Sequence, residues 1–333
     1  MISSKKSSNQ LHILIAFIVA ITLSIYSGWR DVGIDRENYI VMYNGIVSND
    51  DLTIKFWYAK DIFFLIISEL ASYVSDDYKI AFFVSCFFSV MLKYFSIKKL
   101  SSKHILYYFF LYSVFLSPGL EFAAIRGGIA IGFIMLAISY RDQTIKFFVF
   151  SLLAITAHLS AFLVIILLIK KVNTLLSKYK LSYIAVSLII FIFSEILLEL
   201  LPKGTESYDD FNRGTLFSLF DPAVTLLAAF LIFYKLDQVA INNSKRDIYT
   251  KILFIKQIVY GLIAIAFGFT SLLVPATTRY LEISWCLLII VSIIMFKKSF
   301  INMMGVLLFF SLLSYMNIRR FTWLAIINPA LVS

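Results

Sequence analysis

Arg126, Arg279 and His158 stand in or beside long apolar runs, where a titratable side chain is expensive. A charge near the centre of a membrane helix costs about 2.5 to 3.5 kcal/mol on insertion scales, so each such group needs a partner, a water-filled cavity or a function. Arg126 sits in Pro118-Gly119-Leu120-Glu121-Phe122-Ala123-Ala124-Ile125-Arg126-Gly127-Gly128-Ile129-Ala130. Glu121 is one candidate partner. The other reading is an anion site, because Ala123, Ala124, Gly127 and Gly128 remove bulk around the guanidinium and let a ligand or a second helix approach. Arg279 follows Pro275-Ala276-Thr277-Thr278 and precedes Tyr280 and Glu282. At the start of a helix it opposes the dipole unless an anion is bound there, and a pair with Glu282 is the plainer alternative. His158, in Thr156-Ala157-His158-Leu159-Ser160, is either a hydrogen-bonded structural residue or a general base, since imidazole titrates near neutrality.

A second concentration of polar groups follows the first apolar run. The stretch Ser27-Gly28-Trp29-Arg30-Asp31-Val32-Gly33-Ile34-Asp35-Arg36-Glu37-Asn38-Tyr39 mixes arginines, carboxylates and aromatics. Arg213, in Asp209-Asp210-Phe211-Asn212-Arg213-Gly214, adds a cation to a later polar segment. Planar guanidinium forks beside aromatic rings suit a phosphate or diphosphate that carries sugars. No Walker, Rossmann, zinc or nucleophile-elbow pattern is present. Cys86 and Cys286 lie in apolar runs, where a thiol packs as a small hydrophobe. No metal and no other cofactor is expected.

The elements that must position these groups are membrane helices. The chain of 333 residues is 60% hydrophobic and only 15% charged, with mean hydropathy +0.87. Several runs approach the roughly 20 residues a helix needs to cross a hydrocarbon core of about 30 Å. They are continuous rather than alternating at period two, which argues for helices and against a barrel. The formal charge of +10 could suggest nucleic acid, but the lysines cluster between apolar runs, as the positive-inside bias predicts. Membrane lipids, including anionic ones, are the expected partners, and nucleic acid is not. No small-x-small cleavage site follows the first run, so it is expected to stay as an anchor.

With the lysine clusters taken as cytoplasmic, spans fall at Leu11 to Tyr26, Lys79 to Phe95, His104 to Ser117, Phe122 to Tyr140, Leu181 to Leu200, Ala223 to Tyr234, Ile252 to Leu273, Arg279 to Phe296 and Phe300 to Met316. Asp61 to Val74 is short for a span and reads as an interfacial or partly inserted helix. Phe147 to Ile169 has basic residues on both flanks, so a re-entrant or broken pair hinging near His158 is expected, unless one lysine cluster breaks the rule. No internal repeat is evident. The reading is an all-α, polytopic integral membrane protein with about ten transmembrane helices plus re-entrant or interfacial ones. It is a single transmembrane domain over 1–333, with external (periplasmic) loops at 28–60 and 201–222.

The loop Gly28-Trp29-Arg30-Asp31-Val32-Gly33-Ile34-Asp35 with Tyr39, the segment Ile125-Arg126-Gly127-Gly128-Ile129-Ala130, and His158-Leu159-Ser160-Ala161 together resemble the Wzy and EpsG-type polysaccharide polymerases. Arg279-Tyr280 is a weaker echo. The family pattern has threonine, tyrosine, glutamine and tyrosine where this chain has Ile34, Arg36, Gly127 and Leu159, so the likeness lies in order and spacing.

The resemblance implies a glycosyltransferase of the bacterial inner (cytoplasmic) membrane with its active site on the outer side. It would move a growing glycan from undecaprenyl diphosphate onto another lipid-linked repeat unit, most readily in O-antigen biosynthesis. Its partners would be undecaprenyl-diphosphate-linked oligosaccharides, together with the flippase and chain-length regulator of the same pathway. It would use no metal. In that chemistry Arg126 and Arg279 would face the diphosphate leaving group, with Arg30, Arg36 and Arg213 nearer the entrance. His158 or Asp35 would take the acceptor's proton, and Trp29, Tyr39, Tyr43 and Tyr280 would lie along the sugars. A polytopic O-acetyltransferase, a flippase for lipid-linked oligosaccharide and a scaffold are the alternatives. The first should carry an inward-facing histidine and arginine cluster. The second should show two related halves, and the third should tolerate loss of the membrane arginines.

Overall fold

The computed structural model describes residues 2–31, 35–122, 124–179, 181–200, 215–239, 246–270 and 274–296, and among them every regular element is helical. Arg213, most of the expected loop 201–222, and the expected span Phe300 to Met316 lie outside the described residues.

The first apolar run forms α1 (Ile2–Gly28). The segment expected as an external loop is instead mostly helical, as α2 (Arg36–Val47) and α3 (Leu52–Ala59). Tyr39, Tyr43 and Ile46 recur at helical spacing and bury one face of α2, which is why so polar a stretch still folds. Next come α4 (Ile62–Ser72) and α5 (Tyr78–Ser101). Each of α3, α4 and α5 starts at an aspartate whose side chain accepts a backbone N–H: Asp51 from Thr53 at 2.7 Å, Asp61 from Phe64 at 2.8 Å and Asp77 from Lys79 at 2.9 Å.

A turn at Ser102–His104 reverses the chain into α6 (Ile105–Phe115), whose Phe109 ring returns to within 6.0 Å of Tyr94 on α5. The single turn α7 (Ser117–Leu120) leads into α8 (Ile125–Ser139). A short reversal then gives α9 (Thr144–Ala157), and α10 (Ala161–Leu168) follows a break at His158. The expected hinge thus exists as a helix interruption. His158 is in extended conformation (φ −166°, ψ 127°), so the run Phe147 to Ile169 is not one continuous helix.

One compact unit runs to Phe162 and a second begins at Leu163. The first is assembled on α5, which packs against both α1 and α8. Gly28 sets how closely α1 meets α5, because a Cβ there would come within 2.3 Å of the Phe83 Cα. Gly28→Ala forces backbone, not a flexible side-chain tip, to move. The expected cost is about 1–3 kcal/mol, readable as a lower thermal midpoint of the purified protein in detergent. An unchanged midpoint would show that the two helices can separate at little cost.

The second unit contains α11 (Lys170–Lys178), α12 (Ser182–Leu200), α13 (Thr215–Val239), α14 (Arg246–Phe269) and α15 (Val274–Phe296). Trp285 Nε1 donates to Thr225 Oγ1 at 2.9 Å between α15 and α13, and Phe269 stacks on Tyr280 at 5.7 Å between α14 and α15.

Among the described residues, Asn9–Gly28, Tyr78–Phe115 (a stretch that takes in α5, the reversal and α6), Thr250–Phe269 and Thr277–Ile294 are long and apolar enough to cross a membrane, and Lys170–Lys178 with Ser182–Phe193 forms a fifth, bent candidate. Ile62–Ser72, Ile125–Ser139, Thr144–Ala157 and Leu219–Tyr234 are shorter apolar helices. The expectation of about ten spans rests on counting such pieces, which length alone does not qualify.

Candidate functional site

The site is built where α3 gives way to α4 in two residues. Lys60 closes α3 in the left-handed region (φ 59°), the only non-glycine at positive φ among the described residues, and Asp61 opens α4 in extended conformation. Such backbone costs on the order of 1–3 kcal/mol and persists where surroundings over-determine it. Here the turn presents two acceptors to one guanidinium. Arg126 Nη1, in the first turn of α8, donates to the Ala59 carbonyl at 3.0 Å and to Asp61 Oδ2 at 2.9 Å. Tyr39 of α2 completes the enclosure: its ring lies 5.7 Å from the guanidinium carbon, and its hydroxyl accepts the Arg126 backbone N–H at 3.4 Å. Arg126 Nε is buried and has no protein partner. Asp61 precedes α4 outside the candidate spans, and burial pushes its carboxyl up to about 6, against the opposing pull of Arg126 and the Phe64 N–H. Burial and the neighbouring Arg126 both hold the Lys60 ammonium below its ordinary value.

Arg30 stands beside this group. It is 4% exposed, its guanidinium carbon lying 5.4 Å from the Phe82 ring and 5.8 Å from Phe122, and the Tyr39 ring also packs on Phe82 at 5.9 Å. Nη1 donates to the Ser27 and Glu121 carbonyls, while Nε and Nη2 are buried without protein partners. Two guanidiniums with buried, unsatisfied N–H donors, one on a buried and one on a half-buried arginine, are what an incoming oxyanion would need. Arg36 is engaged at the rim, with Glu37 and with the hydroxyl and ring of Tyr78. Asp35 occupies the N-cap position of α2 and is half-buried. Of the aromatics expected along sugars, Trp29 is exposed, whereas Tyr39 and Tyr43 are buried, with the Tyr43 hydroxyl donating to the Ser75 carbonyl.

His158 belongs to the same end of the bundle. Phe133 of α8 stacks on Phe150 of α9, and this antiparallel register sets the start of α8 level with the end of α9. Ser160 donates its backbone N–H to His158 Nδ1 at 3.2 Å, and its hydroxyl lies 3.0 Å from the same nitrogen. At the opposite end the Tyr140 ring faces Lys99 at 5.4 Å and Lys146 at 4.9 Å. The first unit thus gathers basic clusters at one end, and Arg126, Asp61, Arg30 and His158 at the other.

The alternative pairing of Arg126 with Glu121 is not what forms. Glu121 turns instead to Lys93 of α5, at 3.0 Å, and both side chains are fully buried. Arg279 pairs with Glu282 at 3.0 Å in the second unit, where Tyr280 is buried. Sequence reasoning missed Asp61, Lys60 and Lys93. Asp61 carried a signal, as an aspartate immediately before an apolar helix. Lys93 carried another, as a charge inside an apolar run, the same cost that drew attention to Arg126.

The sequence model of the EpsG family matches residues 13–328, nearly the whole chain. The chain belongs to the EpsG family. No curated protein and no solved structure gives a match. Membership makes it a membrane protein of the polysaccharide-polymerase type. The family match extends over both compact units.

Proposed function

We propose that this EpsG-family protein polymerises a polyprenyl-diphosphate-linked glycan at the outer face of the bacterial inner membrane. It transfers the growing chain from undecaprenyl diphosphate to the terminal sugar of another lipid-linked repeat unit, with O-antigen as the product. The observation that carries this reading is Arg126, half-buried and aimed by Asp61 and Ala59 at the end of the bundle away from Lys99 and Lys146. If that lysine-bearing end is cytoplasmic, as the positive-inside bias favours, Arg126 faces outward. An outward site has access to lipid-linked donor and acceptor after they have been flipped, and none to cytoplasmic nucleotide sugars or acyl donors. That is the support for a polymerase over an O-acetyltransferase.

Displacing a diphosphate from an anomeric carbon places negative charge on the leaving oxygens. A preoriented guanidinium in a site with little water stabilises that charge without reorganising. Arg30 shares the enclosure and supplies further N–H donors, Arg36 lies at the rim, and Trp29 is exposed to stack on a sugar. Arg213, Arg279 and Tyr280 are further proposed substrate contacts. The flippase and chain-length regulator of the pathway are the expected protein partners.

Deleting the gene in its host and resolving the surface glycolipid by chain length tests the reading. The expected result is loss of the ladder with a single repeat unit retained. An unchanged ladder whose repeats differ in mass would point to acylation, and loss of the first repeat as well would point to a flippase or an earlier step.

A further inference from the structure

We infer that Asp61, and not His158, takes the proton from the attacking hydroxyl, an assignment that rests on the glycosyl transfer proposed above.

The argument about His158 starts from an amide. A backbone N–H can only donate, so the 3.2 Å contact from Ser160 N commits the lone pair of His158 Nδ1 as acceptor. The neutral imidazole then carries its proton on Nε2, which leaves no lone pair there to receive another. A ring held in that tautomer is poorly placed to act as a base. The extended conformation at the α9 break fixes this geometry, because Ser160 folds back two residues later to reach the ring.

Asp61 has the complementary properties. Its Oδ1 is held by the Phe64 N–H, and its Oδ2 lies 2.9 Å from the guanidinium that the proposed reaction assigns to the leaving group. The carboxylate is therefore one hydrogen bond away from the diphosphate position and on a rigid helix start rather than a loose loop. Its ionisable neighbours are Arg126 on α8 and Lys60 in its own turn, with Tyr39 of α2 across the guanidinium and the Lys55–Glu69 pair, 2.5 Å apart, further along α3 and α4. Burial already raises its proton affinity, to about 6. When diphosphate oxygens engage Arg126, the pull of that cation on Asp61 weakens, and the carboxylate becomes more basic as the acceptor arrives. In the step itself, the hydroxyl oxygen bonds to the anomeric carbon while its proton passes to Asp61 Oδ2. The bond from that carbon to the diphosphate oxygen breaks, and its electron pair stays with the diphosphate. Asp61 then returns the proton to water.

The test uses the full-length protein in liposomes, with lipid-linked repeat units extracted from the host's deletion strain. Asp61→Asn is expected to lower the turnover rate by about 10²- to 10⁴-fold, the range for loss of a general base, with KM changed by much less. The wild-type kcat/KM should fall as pH drops through about 6, where the carboxyl of the free protein is protonated and cannot accept, the kcat limb should lie at higher pH, and both should vanish from the residual rate of Asp61→Asn. His158→Gln should lose far less turnover than Asp61→Asn. Asp61→Glu, which restores the carboxylate, should recover part of the rate and so separates chemistry from folding. Near-normal turnover by Asp61→Asn, or a greater loss of turnover in His158→Gln than in Asp61→Asn, overturns the assignment alone. Failure of the wild-type protein to elongate any chain overturns the polymerase reading and this assignment with it.

Discussion

Replacing Arg126 by alanine should abolish polymer while leaving the protein in the membrane. Two effects of the substitution need separating. The first is catalytic: removing one preorganised donor to a developing oxyanion costs on the order of 10²–10³ in rate. Arg126 offers a fork whose Nη1 is already spent on Ala59 and Asp61, with Nε buried and unsatisfied. The second is structural: Asp61, with 6% of its side chain exposed, would lose its counter-charge. Its carboxyl is already raised to about 6 with Arg126 beside it, so on losing Arg126 it takes up a proton rather than remaining a buried anion. The protein should therefore still fold, and surface glycolipid from cells carrying Arg126→Ala should show one repeat unit and no ladder. Arg126→Lys keeps the charge but not the planar fork and should give a sparse ladder of short chains. A normal ladder from Arg126→Ala, with normal protein levels by immunoblot, would remove this arginine from the chemistry.

Why this arginine was visible in the sequence and its partner was not comes down to distance along the chain. A charge in an apolar run is a local anomaly, and so are the glycines and alanines around Arg126. Asp61 is 65 residues away, and nothing local says which cation it will meet. The same limit explains Glu121, which looked like the obvious neighbour of Arg126. In the structure it lies at the end of α7, facing α5, and takes Lys93 instead. Helix positions were more legible, because length and hydropathy are local properties. α1, α5, α12 and α15 overlap the expected spans closely. The break at His158 was legible too, from basic residues at both ends of one apolar run. α2 was read as a loop because charge density masked a buried face that only packing against neighbouring helices completes.

Lys93 and Glu121 should show the opposite mutational logic to Arg126. Their side chains are completely buried, 3.0 Å apart. Lys93 also donates to Ser89 Oγ at 2.6 Å and to the Gly128 carbonyl at 2.8 Å, and Glu121 accepts from Ser89 Oγ at 2.8 Å and from the Tyr112 hydroxyl. The network joins α5, α6 and α8, and the Glu121 carbonyl in turn holds Arg30. Breaking a buried pair by removing one member leaves an uncompensated charge and costs about 3–5 kcal/mol, whereas removing both charges with shape kept is often close to neutral. Lys93→Met and Glu121→Gln alone should each lower the thermal midpoint in detergent sharply. The double variant Lys93→Met with Glu121→Gln should recover most of that loss, because the amide still meets Ser89 and Tyr112. Losses that simply add would mean that the two charges do not stabilise each other, and that the hydrogen bonds around them hold this part of the bundle. If the double variant refolds and also polymerises, the ion pair itself is dispensable. The position of Arg30 then rests on the Glu121 backbone carbonyl, which neither substitution removes.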